Sequence, residues 1–365
     1  MIYLRVRKKI NVIIFGLCST KFDRNENNRW QYFLTLLESN GFELVEHSHP
    51  DLEYYLEVDF DVDSIKKIVN KLPRENRILI RVEPPSINPT QFKSNIDNLF
   101  GAVIQVITLP STTNKEIPWI PGFFPQRDHF LDLRNKNFMD YESLFISVNE
   151  KKNLAYTLKD SYFHFGIVNS NNINLFSTNL YSTRRKILNK ISRSGFEIVV
   201  AGHGWDSSLI IWAKKHFIEI FRAFKTKTLV SPSKFYINIR KSNNIKIIGQ
   251  VKNEIEIYSK VKYSIIIESD IYDFSEKLFN CLLSGSVPLY IGPELSTVGL
   301  SRDLVLEFPT KMCDVTRFLE NLSDKDLYEK KRKYIENWLN IETNFHYWST
   351  ESGFQRLFSI FNSRF

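Results

Sequence analysis

The feature that most constrains this chain is a rhythm. Short apolar runs rich in β-branched residues alternate with stretches whose apolar positions recur at helical spacing. Asn11 to Cys18 reads as a buried strand, and Trp30, Phe33, Leu34 and Leu37 then recur as one face of a helix. Phe42 to Glu46 and Tyr54 to Val58 read as strands, while Ile65, Ile68, Val69 and Leu72 mark a second helix. Arg77 to Val82 is a strand that Pro84-Pro85 cannot continue, and Ala102 to Thr108 is another. Strands alternating with helices imply βαβ units, and βαβ units imply a mostly parallel sheet.

The rhythm falters from Leu109 to Lys152, where Pro110, Pro118, Pro121 and Pro125 punctuate an aromatic-rich stretch. That stretch reads as a connection between domains, lining a cleft. The alternation then restarts. Tyr162 to Val168 reads as a strand, Arg184 to Ile191 as helix, and Phe196 to Ala201 and Ile245 to Ile248 as strands. Tyr263 to Glu268 is a strand, Glu276 to Leu283 a helix closed by Gly285, and Val287 to Ile291 a strand. From Asp314 onward the chain reads as helical.

The chain has 365 residues, and single cores rarely grow past about 250–300 residues. Two domains are therefore expected: residues 1–150 and residues 151–345, with 346–365 as a terminal helix. Ligands of such sheets bind beyond the carboxyl ends of the strands.

A net charge of +8 favours an anionic partner: a nucleotide, a nucleic acid or a membrane surface. No nucleic-acid-binding motif accompanies the charge, so nucleic acid is not expected. No stretch of about 18 apolar residues suggests a membrane span. The apolar run from Val12 to Leu17 is too short for a secretory signal, which points to a cytoplasmic protein. The basic, aromatic C-terminus, ending FQRLFSIFNSRF, has two readings: an amphipathic helix at the inner face of a membrane, or one packed back on the first domain. Cys18, Cys281 and Cys313 are too few and too scattered for a disulfide framework or a zinc site.

The segment from Tyr263 to Pro293 carries the chemistry. A buried strand ends at an acid, Glu268. Ser275 is a plausible N-cap, and Glu276-Lys277 open the helix. A helix N-terminus offers N–H groups and the positive end of a dipole to a diphosphate. Lys277 adds a full charge there, and a carboxylate such as Glu276 suits the two hydroxyls of a ribose. By pattern alone, an N-capped helix with ordinary surface charges explains the same residues.

Lys262-Tyr263-Ser264 leading to Glu268, then Ser275-Glu276-Lys277-Leu278-Phe279, then Ser284-Gly285-Ser286-Val287-Pro288-Leu289-Tyr290-Ile291-Gly292-Pro293 together resemble the donor motif of family 10 glycosyltransferases. These are the α1,3/4-fucosyltransferases, which use GDP-fucose. The resemblance extends to Gly249, Val251, Lys252 and Arg184. In the first half only Arg81-Val82-Glu83-Pro84-Pro85 is similar.

The resemblance implies roles. Glu276 would bind the guanosine ribose, and Lys277 would lie near the diphosphate. Arg184 would hold the donor phosphate, for which a planar guanidinium fork is suited. Glu268 and Ser269 would complete the donor site. Ser269 replaces the family's Asn and Asp273 its Tyr, and the loop between Glu268 and Glu276 is shorter. A different nucleotide sugar is therefore the alternative donor. Glu83, at a strand end before two prolines, is the candidate general base, taking the proton of the acceptor hydroxyl. Its other reading is a strand cap or a partner of Arg81.

Asp61-Val62-Asp63 matches a metal-binding DxD pattern, but it precedes a helical stretch, where Asp63 or Ser64 serves as an N-cap. His47 and His49, and the Gly202-His203-Gly204-Trp205 turn, give no ligand cluster.

The expectation is an α/β protein of the GT-B type, two Rossmann-like domains with mostly parallel sheets facing a cleft, the acceptor domain first. Its expected activity is inverting, metal-independent transfer of fucose from GDP-fucose to a hydroxyl of a glycan acceptor, with no cofactor. A protein that binds nucleotide sugars or glycans without catalysis is the alternative from another class.

Overall fold

The computed structural model describes residues 13–18, 30–46, 50–58, 69–82, 94–106, 119–120, 144–147, 198–201, 245–249, 254–259, 261–268, 274–309 and 314–363, with isolated positions at 180, 187–188, 190–191 and 271. The strands are β1 (Ile13–Cys18), β2 (Phe42–Glu46), β3 (Tyr54–Val58), β4 (Arg77–Arg81), β5 (Ala102–Val106), β6 (Trp119–Ile120), β7 (Leu144–Ser147), β8 (Ile198–Ala201), β9 (Ile245–Gly249), β10 (Tyr263–Ile267), β11 (Val287–Ile291) and β12 (Leu306–Glu307). The α-helices are α1 (Trp30–Ser39), α2 (Ser94–Asp97), α3 (Glu254–Tyr258), α4 (Glu276–Ser284), α5 (Val315–Asn321), α6 (Lys325–Asn340), α7 (Glu342–Trp348) and α8 (Thr350–Asn362). The chain divides into two compact units, one made of Met1–Gln126 with Phe345–Phe365 and the other of Arg127–Asn344.

In the first unit six strands form one sheet in the order β2-β1-β3-β4-β5-β6, and every neighbouring pair is parallel. A parallel sheet is covered on both faces, so its strands are buried on both sides. Accordingly all five residues of β4 are buried. Leu44, Leu56, Val58, Ile78, Ile80 and Ile104 join α1 on one face. Tyr55, Leu79, Leu72, Ile96 and Phe100 form a smaller cluster on the other.

Helix α8 completes the first of these layers from the far end of the chain. Phe354, Leu357 and Phe361 have no exposed surface. Phe354 stacks on Phe33 at 5.6 Å between ring centroids, and Phe361 meets Phe33 edge-on at 5.7 Å. Phe358 lies edge-on to Phe42 at 6.2 Å. The apolar face of α8 is thus spent on the core. Among the described residues no helix is long and apolar enough to cross a membrane.

In the second unit the sheet runs β12-β11-β10-β7-β8-β9, again with every neighbouring pair parallel. Read from β9, the chain steps outward from β7 through β8 to β9. It then returns to the other side of β7 as β10 and steps outward to β11 and β12. This is the doubly wound order of a dinucleotide-binding sheet, with its reversal between β7 and β10. Both β10 and β11 are buried along their whole length. Pro288 sits inside β11 without breaking it. Val287 N–H bonds to Lys262 O and Ile291 O accepts from Glu268 N–H, so alternate residues face β10. Pro288 faces the opposite side, where pairing with β12 starts only at Leu289.

The stretch Leu109 to Lys152 was expected to be connection only. It contains β6, a two-residue edge strand, and β7, a strand at the centre of the second sheet. Three apolar residues, Leu144 to Ile146, are too few for any periodicity, and the sheet around them supplies what the local sequence lacks. The expected strand Tyr162 to Val168 and the Asp61-Val62-Asp63, His47, His49 and Gly202-His203-Gly204-Trp205 motifs lie outside the described residues.

Truncating Phe354 to Ala should lower the stability of the first unit by about 3–5 kcal/mol, the usual loss for a buried ring. Asn362→Ala, on the exposed end of the same helix, should change it by less than about 0.5 kcal/mol. Urea unfolding of both variants checks the contrast.

Candidate functional site at the end of β10

Strand β10 ends at Ile267 and delivers the next residue, Glu268, to the carboxyl edge of the sheet, beside the reversal of strand order. Backbone pairing holds it there, with Glu268 N–H donating to Ile291 O at 2.9 Å. The side chain has no exposed surface. Ser275 Oγ donates to Glu268 Oε2 at 2.5 Å, and the Ser275 backbone N–H donates to the same carboxylate.

Ser275 occupies the N-cap position of α4 in extended conformation, as the sequence suggested. Its hydroxyl does not cap the helix, however; it points back to Glu268. The entry angle of the helix is fixed differently. Phe274, immediately before the cap, meets Phe279 of the second turn edge-on at 5.9 Å. This is a hydrophobic staple, one apolar residue before the cap packed on one in the second turn. The sequence reading missed it, although two phenylalanines five residues apart around a serine are its signature. Phe279 also lies 6.3 Å from Trp338 of α6, so the staple is anchored to the helix that covers it. At the other end of α4, Gly285 takes the left-handed conformation at φ 79°, and its N–H closes the last turn on Leu282 O.

Gly292, directly after β11, has a second requirement for glycine. A methyl group there would lie 2.7 Å from Glu268 Cγ and would also collide with Tyr290 Oη. The absent side chain is what lets the Glu268 side chain fit beneath the turn.

Helix α4 then presents Glu276 and Lys277, both half-buried, in its first turn. Leu278, Phe279, Cys281, Leu282 and Leu283 turn inward. Buried Cys281 donates to Ser286 O at 3.4 Å, and burial pushes its thiol up to about 12, so it is a core residue without thiolate chemistry. The sheet beneath is tied by a Ser264–Ser286 hydrogen bond of 2.8 Å.

Burial pushes the Glu268 carboxyl above its ordinary value, against the nearby Lys277 ammonium and the Ser275 hydrogen bonds, which favour the charged form. The neighbouring Glu276 carboxylate adds to the upward push.

Ser269, Arg184 and Glu83 lie outside the described residues, as do Val251 and Lys252. Two residues before Glu83, Arg81 is buried at the end of β4 and pairs with Asp97 of α2. Burial lowers the Arg81 pKa and Asp97 opposes the shift. The structure thus brings Glu268, Ser275, Glu276 and Lys277 together at one strand–helix junction of the second unit.

No protein-family model matches the chain, and no curated protein matches it in sequence. Solved structures do. Alr3699/HepE of Anabaena, in complex with UDP and glucose, is 8% identical, with 97% of this chain and 100% of that one covered, at a TM-score of 0.52. An α1,3-fucosyltransferase is 10% identical, with 99% of this chain and 91% of that one covered, at a TM-score of 0.49, which is too low to weigh. S. aureus TarM is 11% identical at a TM-score of 0.45 over 84% of this chain, which spans 55% of that protein's length. At such identities the likeness shows the fold, which is the α/β fold of GT-B glycosyltransferases with two Rossmann-like units.

Because the Glu268 carboxyl holds its proton more tightly in the folded chain, its contribution to stability is complete below the ordinary glutamate range. It is lost as pH rises through the raised folded value. Glu268→Gln removes that titration. Thermal midpoints of the parent should therefore fall relative to those of the variant as pH rises. Parallel pH profiles would contradict the assignment.

Proposed function

We propose that the protein is a glycosyltransferase that moves a sugar from a nucleotide-sugar donor to a hydroxyl of a glycan acceptor. The observation that carries this reading is the position of Glu276 and Lys277. They open a helix that starts at the carboxyl edge of a doubly wound parallel sheet, beside the reversal of its strand order. That edge is where open α/β sheets bind nucleotides. A fold alone does not fix an activity, so the reading rests on these residues together with the fold.

The chemistry follows from the residue types. The first turn of α4 and the Lys277 ammonium stabilise the diphosphate, including the charge it gains on leaving. Glu276 accepts hydrogen bonds from the ribose hydroxyls. Arg184 adds a guanidinium to the phosphates. Positive groups supplied by the protein do the work a divalent ion does elsewhere, and so the transfer is metal-independent. The acceptor oxygen forms its bond to the anomeric carbon as the bond to the phosphate oxygen breaks. Glu83 takes the proton of that hydroxyl, and the attack from the opposite face inverts the anomeric centre.

Two donors are in play. The motif from Lys262 to Pro293 favours GDP-fucose. The substitutions at Ser269 and Asp273, and the UDP and glucose bound by the Anabaena protein, favour a UDP-sugar. Calorimetric titration of the full chain with GDP-fucose, GDP-mannose and UDP-glucose separates them, because only the matching base and sugar should bind with micromolar affinity or better.

Lys277→Ala should weaken binding of the preferred donor by a factor of about 10–100, the worth of a charge-assisted phosphate contact. Glu276→Ala should weaken it comparably. Glu83→Gln should abolish transfer while leaving donor affinity intact. Unchanged binding and turnover in both α4 variants would overturn the proposal. A parent protein that binds the donor but never transfers would favour a binding protein over an enzyme.

A further inference from the structure

Among the described residues Glu268 is the buried acid at the junction between β10 and α4, and a role as a donor ligand fits its surroundings poorly. Its side chain has no exposed surface, and its carboxylate takes two hydrogen bonds from a single residue, Ser275. The Ser275 hydroxyl, in the position from which it would ordinarily cap α4, is drawn away from the helix to make one of them. Gly292 closes over the Glu268 side chain from β11, with no space for even a methyl group. On the helix side, Phe274 and Phe279 clamp the same entry, ring against ring. Three elements, β10, β11 and α4, thus converge on this carboxyl group.

We propose that Glu268 is a positioning residue: from the end of β10 it holds Ser275, and so fixes the first turn of α4 on which Glu276 and Lys277 stand. This role rests on the nucleotide-sugar site proposed above. The physical reason is strict. A buried hydroxyl and a buried N–H need an acceptor, and without Glu268 the Ser275 donors lose the one that ties the start of α4 to the end of β10. A misplacement of about 1 Å in residues that orient a substrate is enough to cost a large factor in binding or rate.

The test is titration of the full chain with GDP and with UDP, using Glu268→Ala, Glu268→Gln, Ser275→Ala and the Glu268→Ala/Ser275→Ala double variant. Glutamine keeps the shape and an acceptor oxygen for Ser275. A positioning role predicts that Glu268→Ala and Ser275→Ala each weaken the tighter nucleotide about tenfold or more, and that the double variant is no weaker than the worse single one. It also predicts that Glu268→Gln rescues affinity to within about threefold of the parent. Lys277→Ala, costly in the parent, should cost less in the Ser275→Ala background, because the lysine is already out of place.

A direct ligand gives the opposite pattern. Ser275→Ala would stay at parental affinity, Glu268→Gln would lose as much as Glu268→Ala, and the losses would add. That result would overturn the positioning role while leaving the nucleotide site standing. A parent that binds neither GDP nor UDP would overturn the site itself and the role with it. Should Glu268→Ala fail to fold, the contrast between Ser275→Ala and Glu268→Gln decides the matter without it.

Discussion

A carboxylic acid with no exposed surface is an expensive thing to place at the end of a strand. The junction around Glu268 shows how its burial is compensated. The end of β10 supplies the acid, the start of α4 supplies two donors, and Gly292 leaves the volume the side chain occupies. The carboxyl group is the fixed point to which the helix is registered. The Phe274–Phe279 staple and Trp338 hold the apolar side of the same turn. With both sides held, the half-buried Glu276 and Lys277 are presented from a rigid base, which is what a site needs if its donors are to meet a ligand without reorganising.

The sheet explains why this junction is where it is. In the second unit the strands leave β7 in one direction and come back on its other side as β10. The helices that follow the two sets of strands must then lie on opposite faces, and a crevice opens at the reversal. Phosphate chemistry gathers at such a crevice because helix N-termini point toward it. The fold therefore accounts for where the proposed nucleotide site lies. The sugar and the base are settled by side chains on the loops around it rather than by the fold.

Much of this was legible in the sequence. The runs Phe42 to Glu46, Tyr54 to Val58 and Val287 to Ile291 form strands over the spans their composition implied. Their β-branched, leucine and aromatic residues favour a buried pleated strand, so short runs of them announce themselves. The helix from Glu276 and its glycine stop were equally plain, since cap chemistry is local. What stayed hidden was non-local. Strand β7 has only three apolar residues and owes its place to β8 and β10 on either side. The diversion of the Ser275 hydroxyl from capping to Glu268 depends on where β10 ends in space, seven residues back in sequence. The two readings of the C-terminal segment could be separated only by α1, whose Phe33 receives Phe354 and Phe361.

The central claim is that the first turn of α4 meets the diphosphate of a bound nucleotide. Amide hydrogen exchange of residues 276–278, with and without saturating GDP or UDP, tests it at the atoms concerned. The account predicts that exchange of these amides slows when the nucleotide binds. Nucleotide binding that protects other segments and leaves the first turn of α4 unchanged would contradict it.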